Sequence, residues 1–156
     1  MLEPNARMPV HRPSLVLIAA DDQAVREALQ FALRLEGFAV RTHAGADELL
    51  GDAALGRAAC VVLDDRKPHL DGFDVMARLR ERALQAPVIL LTGYATTRLR
   101  SRAAAGFRAV LEKPLLNNIL LDTLRSIVEP GRPIVGPNGG DMASPRGADG
   151  QSALRS

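Results

Sequence analysis

The chain has 156 residues, 47% hydrophobic and 24% charged, a balance typical of one folded globular domain. No apolar run approaches the roughly 20 residues of a membrane helix, and the first residues lack the apolar stretch of a signal peptide, so we expect a cytoplasmic protein with no membrane partner. The net charge of +2 is a weak argument for nucleic-acid binding, and a single cysteine, Cys60, excludes an internal disulfide and a cysteine-based zinc cluster.

Composition divides the chain into three parts. Residues 1–13 contain three prolines and no periodicity, which predicts a flexible leader. Residues 14–128 hold most of the apolar content and predict the folded domain. In residues 129–156, Gly, Pro and Ser fill 13 of 28 positions, which predicts a disordered tail. The tail is too short and too poor in apolar residues for a second domain, so we expect no DNA-binding module after Val128.

The middle part alternates short apolar runs, which indicate buried strands, with apolar residues at helical spacing. In chain order the predicted elements are strand 15–19, helix 24–35 ended by Gly37, strand 38–42, helix 46–55, strand 60–63, helix 73–84, strand 88–91, helix 97–105, strand 109–111 and helix 116–128. Apolar runs without alternation, such as Val61 to Leu63, are typical of strands covered on both faces. We therefore predict a doubly wound α/β fold with five parallel strands and five helices.

Four of the five predicted strands are followed by charged or hydroxyl-bearing residues. They are Asp21 and Asp22 after the first strand, Asp64 and Asp65 after the third, Thr92 after the fourth, and Glu112 and Lys113 after the fifth. The end of the second strand, Thr42-His43, indicates no function. Ligands of such sheets bind at the carboxyl ends of the strands. Any one of these residues could be an ordinary turn residue, but their common placement indicates a site.

These residues resemble the motifs of CheY-like response-regulator receiver domains. The matching residues are Ala20-Asp21-Asp22, Asp64-x-Arg66-x-Pro68 with Gly72, Thr92-Gly93, Ala105-Gly106, and Glu112-Lys113-Pro114. The resemblance covers residues 14–128 and implies the flavodoxin-like strand order 2-1-3-4-5, in which strands one and three are neighbours. It implies a phosphoprotein of a two-component phosphorelay that receives its phosphoryl group from a histidine kinase or phosphotransfer protein. It further implies signal transduction through a downstream protein partner. The small net charge and the short tail lead us to expect no direct contact with nucleic acid.

The resemblance also implies a role for each residue of the site. Asp64 would be the nucleophile and phosphoacceptor, and Mg²⁺ would be held by Asp21, Asp64 and the backbone carbonyl of Arg66. Lys113 would pair with the phosphoryl group, and the Thr92 hydroxyl would move toward it and transmit the change. The chemistry agrees, because Mg²⁺ prefers oxygen ligands and phosphoryl transfer to a carboxylate needs nearby positive charge and hydroxyl donors.

Neighbouring residues receive structural roles. A cis peptide bond between Lys113 and Pro114 is implied by the resemblance. Asp22 is expected to cap the first helix. Asp65 is expected to face solvent, because neighbours on a strand point in opposite directions. Cys60 is expected in the core, and the histidines lack the spacing of metal ligands.

The sequence departs from the receiver pattern at three places. Ala20 stands where many receivers carry the first acid of a pair, which predicts weaker Mg²⁺ binding and slower or less complete phosphorylation. Val110 occupies the switch position, often Phe or Tyr, so coupling between Thr92 and an output face must run differently or be weak. The interval from Thr92 to Lys113 is one residue shorter than usual, which leaves the position of the fourth helix open.

Three further interpretations remain as alternatives to a stand-alone receiver, whose monomeric or homodimeric state the sequence leaves open. A degenerate pseudo-receiver would bind proteins independently of phosphorylation, which Ala20 and Val110 favour. A phosphatase resembling the haloacid dehalogenases would need an acid where Arg66 stands, so we do not expect an enzyme. A nucleotide-binding fold is disfavoured because no Gly-rich loop follows the first strand. The arginines of 98–108 are interpreted as a solvated face, with a partner surface as the alternative.

Overall fold

The structure is a computed structural model that describes residues 12–116 and 118–129. The predictions of a leader over 1–13 and a tail over 129–156 lie almost wholly outside the described residues. The elements are β1 (Leu15–Ala19), α1 (Gln23–Leu35), β2 (Ala39–His43), α2 (Ala46–Leu50), a 3₁₀ turn (Leu55–Arg57), β3 (Cys60–Asp64), α3 (Gly72–Glu81), β4 (Val88–Thr92), α4 (Thr97–Ala103), β5 (Ala109–Glu112) and α5 (Ile119–Val128). No helix of these residues has the length and apolar character needed to cross a membrane.

The five strands form one parallel sheet in the order β2-β1-β3-β4-β5, which confirms the predicted fold class. The register pairs Ala19 of β1 with Leu63 of β3, and Thr92 of β4 with Glu112 of β5. Because parallel strands end at the same edge, this register brings the residues that follow β1, β3, β4 and β5 together at one edge of the sheet.

The sheet separates two apolar cores, since alternate residues of each strand face opposite sides. Leu17 and Leu63 lie in the core beneath α2, α3 and α4, which Leu79 of α3 completes. Val16 and Cys60 lie in the core beneath α1 and α5. Cys60 is fully buried, as predicted, and burial raises the pKa of its thiol to about 12. Both faces of the sheet are therefore covered, which explains the continuous apolar runs of its strands.

Caps and turn residues set the ends of the helices. Asp22 caps α1 as predicted, and its Oδ1 accepts a hydrogen bond from the Val25 amide at 3.2 Å. Gly37 ends α1 at a φ of 95°, a conformation that glycine adopts without steric cost. Ala83 takes the corresponding place after α3 at a φ of 60°. The helix predicted over 73–84 therefore stops at Glu81.

Besides the end of that helix, three other predicted helix boundaries differ from the structure by more than one residue. The helix predicted over 46–55 ends at Leu50, because the chain turns at Asp52, whose carboxylate accepts a hydrogen bond from the Ala54 amide at 2.8 Å. The helix predicted over 97–105 ends at Ala103. The helix predicted over 116–128 begins at Ile119, and Leu116 before it is exposed.

A buried polar cluster joins the ends of β2 and α2, where the sequence indicated no function for His43. The ring of His43 is buried, and its Nε2 lies 2.7 Å from Oδ2 of Asp52. Arg41 donates a second hydrogen bond to the same oxygen at 2.7 Å. His43 Nδ1 lies 3.3 Å from the Ile18 carbonyl of β1. The cluster thus ties the turn after α2 to the sheet.

Replacing Asp52 by Asn is expected to destabilise the protein by about 1–3 kcal/mol at pH 7, the usual cost of an unsatisfied buried partner. The hydrogen bond from Arg41 holds the pKa of Asp52 far below its ordinary value. A depressed folded-state pKa contributes stability above the unfolded value, and that stability is lost as the pH falls through the folded pKa. The difference between wild type and D52N should therefore shrink below about pH 4.

Urea denaturation of both proteins between pH 7 and pH 2 measures this difference. The matched control is Asp47→Asn, because the Asp47 side chain is 94% exposed and should contribute little at any pH. A difference between wild type and D52N that stays constant across this range would contradict the assignment.

Candidate functional site

The site at the carboxyl edge of the sheet is centred on Asp64, the last residue of β3. Its side chain is fully buried, and Lys113, which follows β5, places its Nζ 2.5 Å from Asp64 Oδ1. Burial raises the pKa of Asp64, while the hydrogen bond and charge of Lys113 oppose that rise. The structure thus brings together the expected phosphoacceptor and the expected lysine, and it joins Lys113 to Pro114 by a cis peptide bond.

Asp21 and Asp22 lie in the short connection between β1 and α1, at the same edge of the sheet as Asp64. Burial is the main cause of the raised pKa of Asp64, and the negative charge of Asp21 adds to the rise. Hydrogen bonding from the Val25 amide lowers the pKa of Asp22. The guanidinium of Arg66 lies near both acids, with Nη1 3.5 Å from Asp21 Oδ1 and 3.4 Å from Asp22 Oδ2.

The donor set of this site fits Mg²⁺. Two buried side-chain oxygens in the described part of the chain have no hydrogen-bond partner, and they are Asp21 Oδ1 and Asp64 Oδ2. Burying an unpaired carboxylate oxygen is costly, and a hard cation with oxygen ligands relieves that cost. The backbone carbonyl of Arg66 already accepts a hydrogen bond from Leu70 at 2.8 Å, but it keeps a second lone pair.

The two carboxylates of Asp21 and Asp64 would not by themselves supply all the ligands of a Mg²⁺ ion. Across the described ranges 12–116 and 118–129, no three His, Cys, Asp or Glu side chains come together as a ligand set. Two carboxylates, one carbonyl and retained waters match the usual surroundings of protein-bound Mg²⁺. The residues present therefore fit the ion that the sequence implied.

Asp65 does not face solvent, so that prediction is wrong. Only 9% of the residue is exposed, and its Oδ1 accepts a hydrogen bond from the Gly72 amide at 2.8 Å. Asp65 does point away from Asp64, but the opposite face of the sheet is covered by helices. A Cβ at Gly72 would meet Leu90 Cδ1 at 2.4 Å and Asp65 Oδ1 at 3.4 Å, so α3 lies close to Asp65, and a larger residue at position 72 would require the end of the Leu90 side chain to shift.

Lys67 is a site residue that sequence reasoning missed. Its Nζ lies 3.0 Å from Asp65 Oδ2. It also lines an open cleft of about 450 Å³ together with Asp65, Arg66, Thr92, Gly93, Tyr94, Leu99 and Lys113. The two-residue spacing of Asp65 and Lys67 is compatible with this ion pair. The sequence does not show, however, that the Gly72 amide holds the Asp65 carboxylate in place.

Thr92 lies at the end of β4 and borders the same cleft. It is buried, and its hydroxyl accepts a hydrogen bond from the Tyr94 amide at 3.3 Å. Tyr94 itself is 79% exposed. The structure therefore places Thr92 beside Lys113, as expected, and links its hydroxyl to the loop that leads into α4.

Val110 is half-buried and packs against the core beneath α2, α3 and α4. Its carbonyl accepts a hydrogen bond from Arg100 of α4 at 3.3 Å. Another α4 arginine, Arg102, stacks on the ring of Phe73 with its Cζ 3.9 Å from the ring centroid. The sequence suggested a solvated face for these two arginines. The structure shows instead that they link α4 to β5 and to α3.

Comparison with protein families and curated proteins agrees with this geometry. The family model of the response regulator receiver domain matches residues 16–125. The response regulator protein TodT of Pseudomonas putida is 32% identical over 119 residues, which are 76% of this chain and 52% of TodT. The response regulator MprA of Mycobacterium sp. is 34% identical over 127 residues, which are 81% of this chain and 55% of MprA. The chain spans about half the length of these two curated relatives.

Solved structures show the same fold. The non-phosphorylated HemR receiver domain of Leptospira biflexa has a TM-score of 0.68 at 25% identity, with 77% of this chain and 98% of that chain covered. The chemotaxis protein CheY4 of Vibrio cholerae has a TM-score of 0.68 at 25% identity, with coverage of 74% and 99%. Both are matched over nearly their whole length.

Proposed function

Because this chain belongs to the response regulator receiver domain family, we propose that it accepts a phosphoryl group on Asp64 with Mg²⁺ as cofactor. The observation that carries the proposal is the fully buried Asp64 carboxylate, with one oxygen bound to Lys113 and the other without a partner. Asp64, Asp21 and the Arg66 carbonyl would hold the ion, which would neutralise the charge that gathers as the phosphoryl group arrives.

Each remaining site residue has a role in this proposal. Lys113 would hold Asp64 in position and then pair with a phosphoryl oxygen. The Thr92 hydroxyl would exchange the Tyr94 amide for the phosphoryl group, which would release the loop before α4. Val110 at the switch position carries no aromatic ring, so this loop is the route by which we expect the change to leave the site.

The donor in this proposal is a histidine kinase or phosphotransfer protein, and the output passes to a protein partner, as in a single-domain regulator. The cytoplasmic location expected from the sequence stays part of the proposal. The protein would not turn over a phosphate ester, because Arg66 stands where an acid would be needed.

The test is incubation with acetyl phosphate and Mg²⁺, followed by intact mass measurement. We expect one added phosphoryl group on wild type and none on Asp64→Asn, because the amide is not a nucleophile of comparable strength. The matched control is Asp65→Asn, which changes the neighbouring carboxylate and should still be modified. A wild-type protein that stays unmodified would contradict the proposal. It would favour the pseudo-receiver alternative, which Ala20 and Val110 also favour.

A further inference from the structure

The side chain of Arg66 has a position that its expected role, a backbone carbonyl ligand, does not require. Arg66 lies in the loop after β3, where its backbone N–H and C=O both pair with Leu70 at 2.8 Å. This pairing holds the backbone of the loop, while the side chain is 44% exposed. The guanidinium is therefore free to rotate without disturbing the carbonyl.

The guanidinium contacts the oxygen that a metal would need. Its Nη1 lies 3.5 Å from Asp21 Oδ1, which is one of the two buried oxygens without a hydrogen-bond partner. At that length the contact is an ion pair rather than a hydrogen bond. A divalent cation bound to Asp21 Oδ1 would face this positive charge at a few ångströms, and two like charges so close repel strongly.

Asp22 offers the guanidinium a second partner. Asp22 Oδ1 is committed to the cap of α1, but its Oδ2 lies 3.4 Å from the same Arg66 nitrogen. Asp22 is partly exposed and Asp21 is the more buried acid. Arg66 can therefore withdraw from Asp21 toward Asp22 and solvent, and partly exposed ion pairs of this kind break at little cost.

Resting on the proposed function, we propose that the Arg66 guanidinium is the resident counter-ion of the metal-free site and competes with Mg²⁺ for Asp21. In the metal-free protein it compensates the acidic charge of Asp21 and Asp22. Binding of Mg²⁺ displaces it from Asp21, so Arg66 weakens the apparent affinity for the ion. Arg66 then has two opposed effects on metal binding, since its carbonyl is a ligand and its side chain is a competitor.

Calorimetric titration of the whole chain with Mg²⁺ tests the competition. Arg66→Met keeps the backbone carbonyl and most of the apolar stem while it removes the charged guanidinium, and we expect its Mg²⁺ affinity to exceed that of wild type by about 2–5-fold, the range for partly exposed charge contacts. Arg57→Met is the matched control, because Arg57 is exposed in the 3₁₀ turn before β3, at the opposite edge of the sheet. Its affinity should equal that of wild type.

A second readout separates displacement from a general effect of removing charge. In ¹⁵N-labelled wild type, the side-chain Nε–H resonance of Arg66, assigned by its absence from Arg66→Met, should shift with the same midpoint as the calorimetric titration. The Nε–H resonance of Arg57 should not move. The proposed competition is contradicted if the Arg66 resonance does not shift on addition of Mg²⁺. It is also contradicted if the Mg²⁺ affinity of Arg66→Met equals that of wild type.

The outcomes also separate this inference from the proposed function. If wild type is phosphorylated on Asp64 while Arg66→Met binds Mg²⁺ no more tightly, the inference fails and the proposed function stands. If wild type binds no Mg²⁺ but Arg66→Met does, the competition is supported in its strongest form. If neither protein binds Mg²⁺, both the inference and the magnesium part of the proposed function fail.

Discussion

Replacing Lys113 by Met is expected to slow phosphorylation of Asp64 by about 10²–10³-fold, the range for loss of one preorganised electrostatic contact in a site. Lys113 is the cation that touches the buried Asp64 carboxylate. Without it the phosphoryl oxygens lose their fixed positive partner, and the effect of burial on the pKa of Asp64 loses its main opposition. Both changes act against transfer to Asp64.

The rate of mass increase with acetyl phosphate at saturating Mg²⁺ measures this effect. Lys67→Met is the matched control, because the chain has only these two lysines and Lys67 pairs with Asp65 instead. We expect a rate within a few-fold of wild type for this control, because the half-exposed Lys67 forms an ion pair that does not involve the Asp64 carboxylate. Circular dichroism establishes that both variants are folded. A Lys113→Met protein that is modified as fast as wild type would remove Lys113 from the mechanism.

Replacing Ala20 by Asp is expected to tighten Mg²⁺ binding by about 10–100-fold, the usual effect of a group that supports metal ligands without being one. Ala20 is fully buried between β1 and Asp21, and its amide donates a hydrogen bond to the His43 carbonyl at 3.0 Å. A third carboxylate at this place would add repulsion to the metal-free site and attraction for a cation. The variant should therefore be less stable than wild type without Mg²⁺ and gain more stability from it.

Ala20→Asn is the control for this prediction, because it has nearly the shape of the aspartate without its charge. Calorimetry with Mg²⁺ and thermal unfolding with and without the ion give the two measurements. Equal affinities for A20D and A20N would show that the charge at this position is irrelevant to the metal. That result would also separate the missing acid from any weakness of phosphorylation in the wild type.

The sequence predicted the strands and the parallel sheet because both depend on local patterns, whereas the resemblance to receiver domains implied the strand order and the roles of Asp64 and Lys113. Apolar runs predicted the strands, and the parallel order placed Asp64 and Lys113 at one edge although 49 residues separate them. Asp65 was predicted wrongly for the opposite reason. Alternation along a strand shows that Asp65 points away from Asp64, but not that helix α3 lies close on that side and covers the Asp65 side chain.

Side-chain contacts between residues that are distant in the chain could not be predicted from the sequence either. Arg66 was considered for its backbone carbonyl, and nothing in the spacing shows that its side chain reaches Asp21 across the sheet edge. Asp52 lies within the helix predicted over 46–55, although the chain turns there to meet His43.

The position of Tyr94 has a practical consequence. The chain has one tyrosine and no tryptophan, so its near-ultraviolet emission arises from this single ring. The ring is largely in solvent, while its amide is bound to the Thr92 hydroxyl. A change in the hydrogen bonding of the Thr92 hydroxyl therefore acts on the backbone amide of Tyr94, the residue that carries this ring. The native protein therefore contains its own optical reporter for the loop between β4 and α4, and events there can be followed in real time without a label.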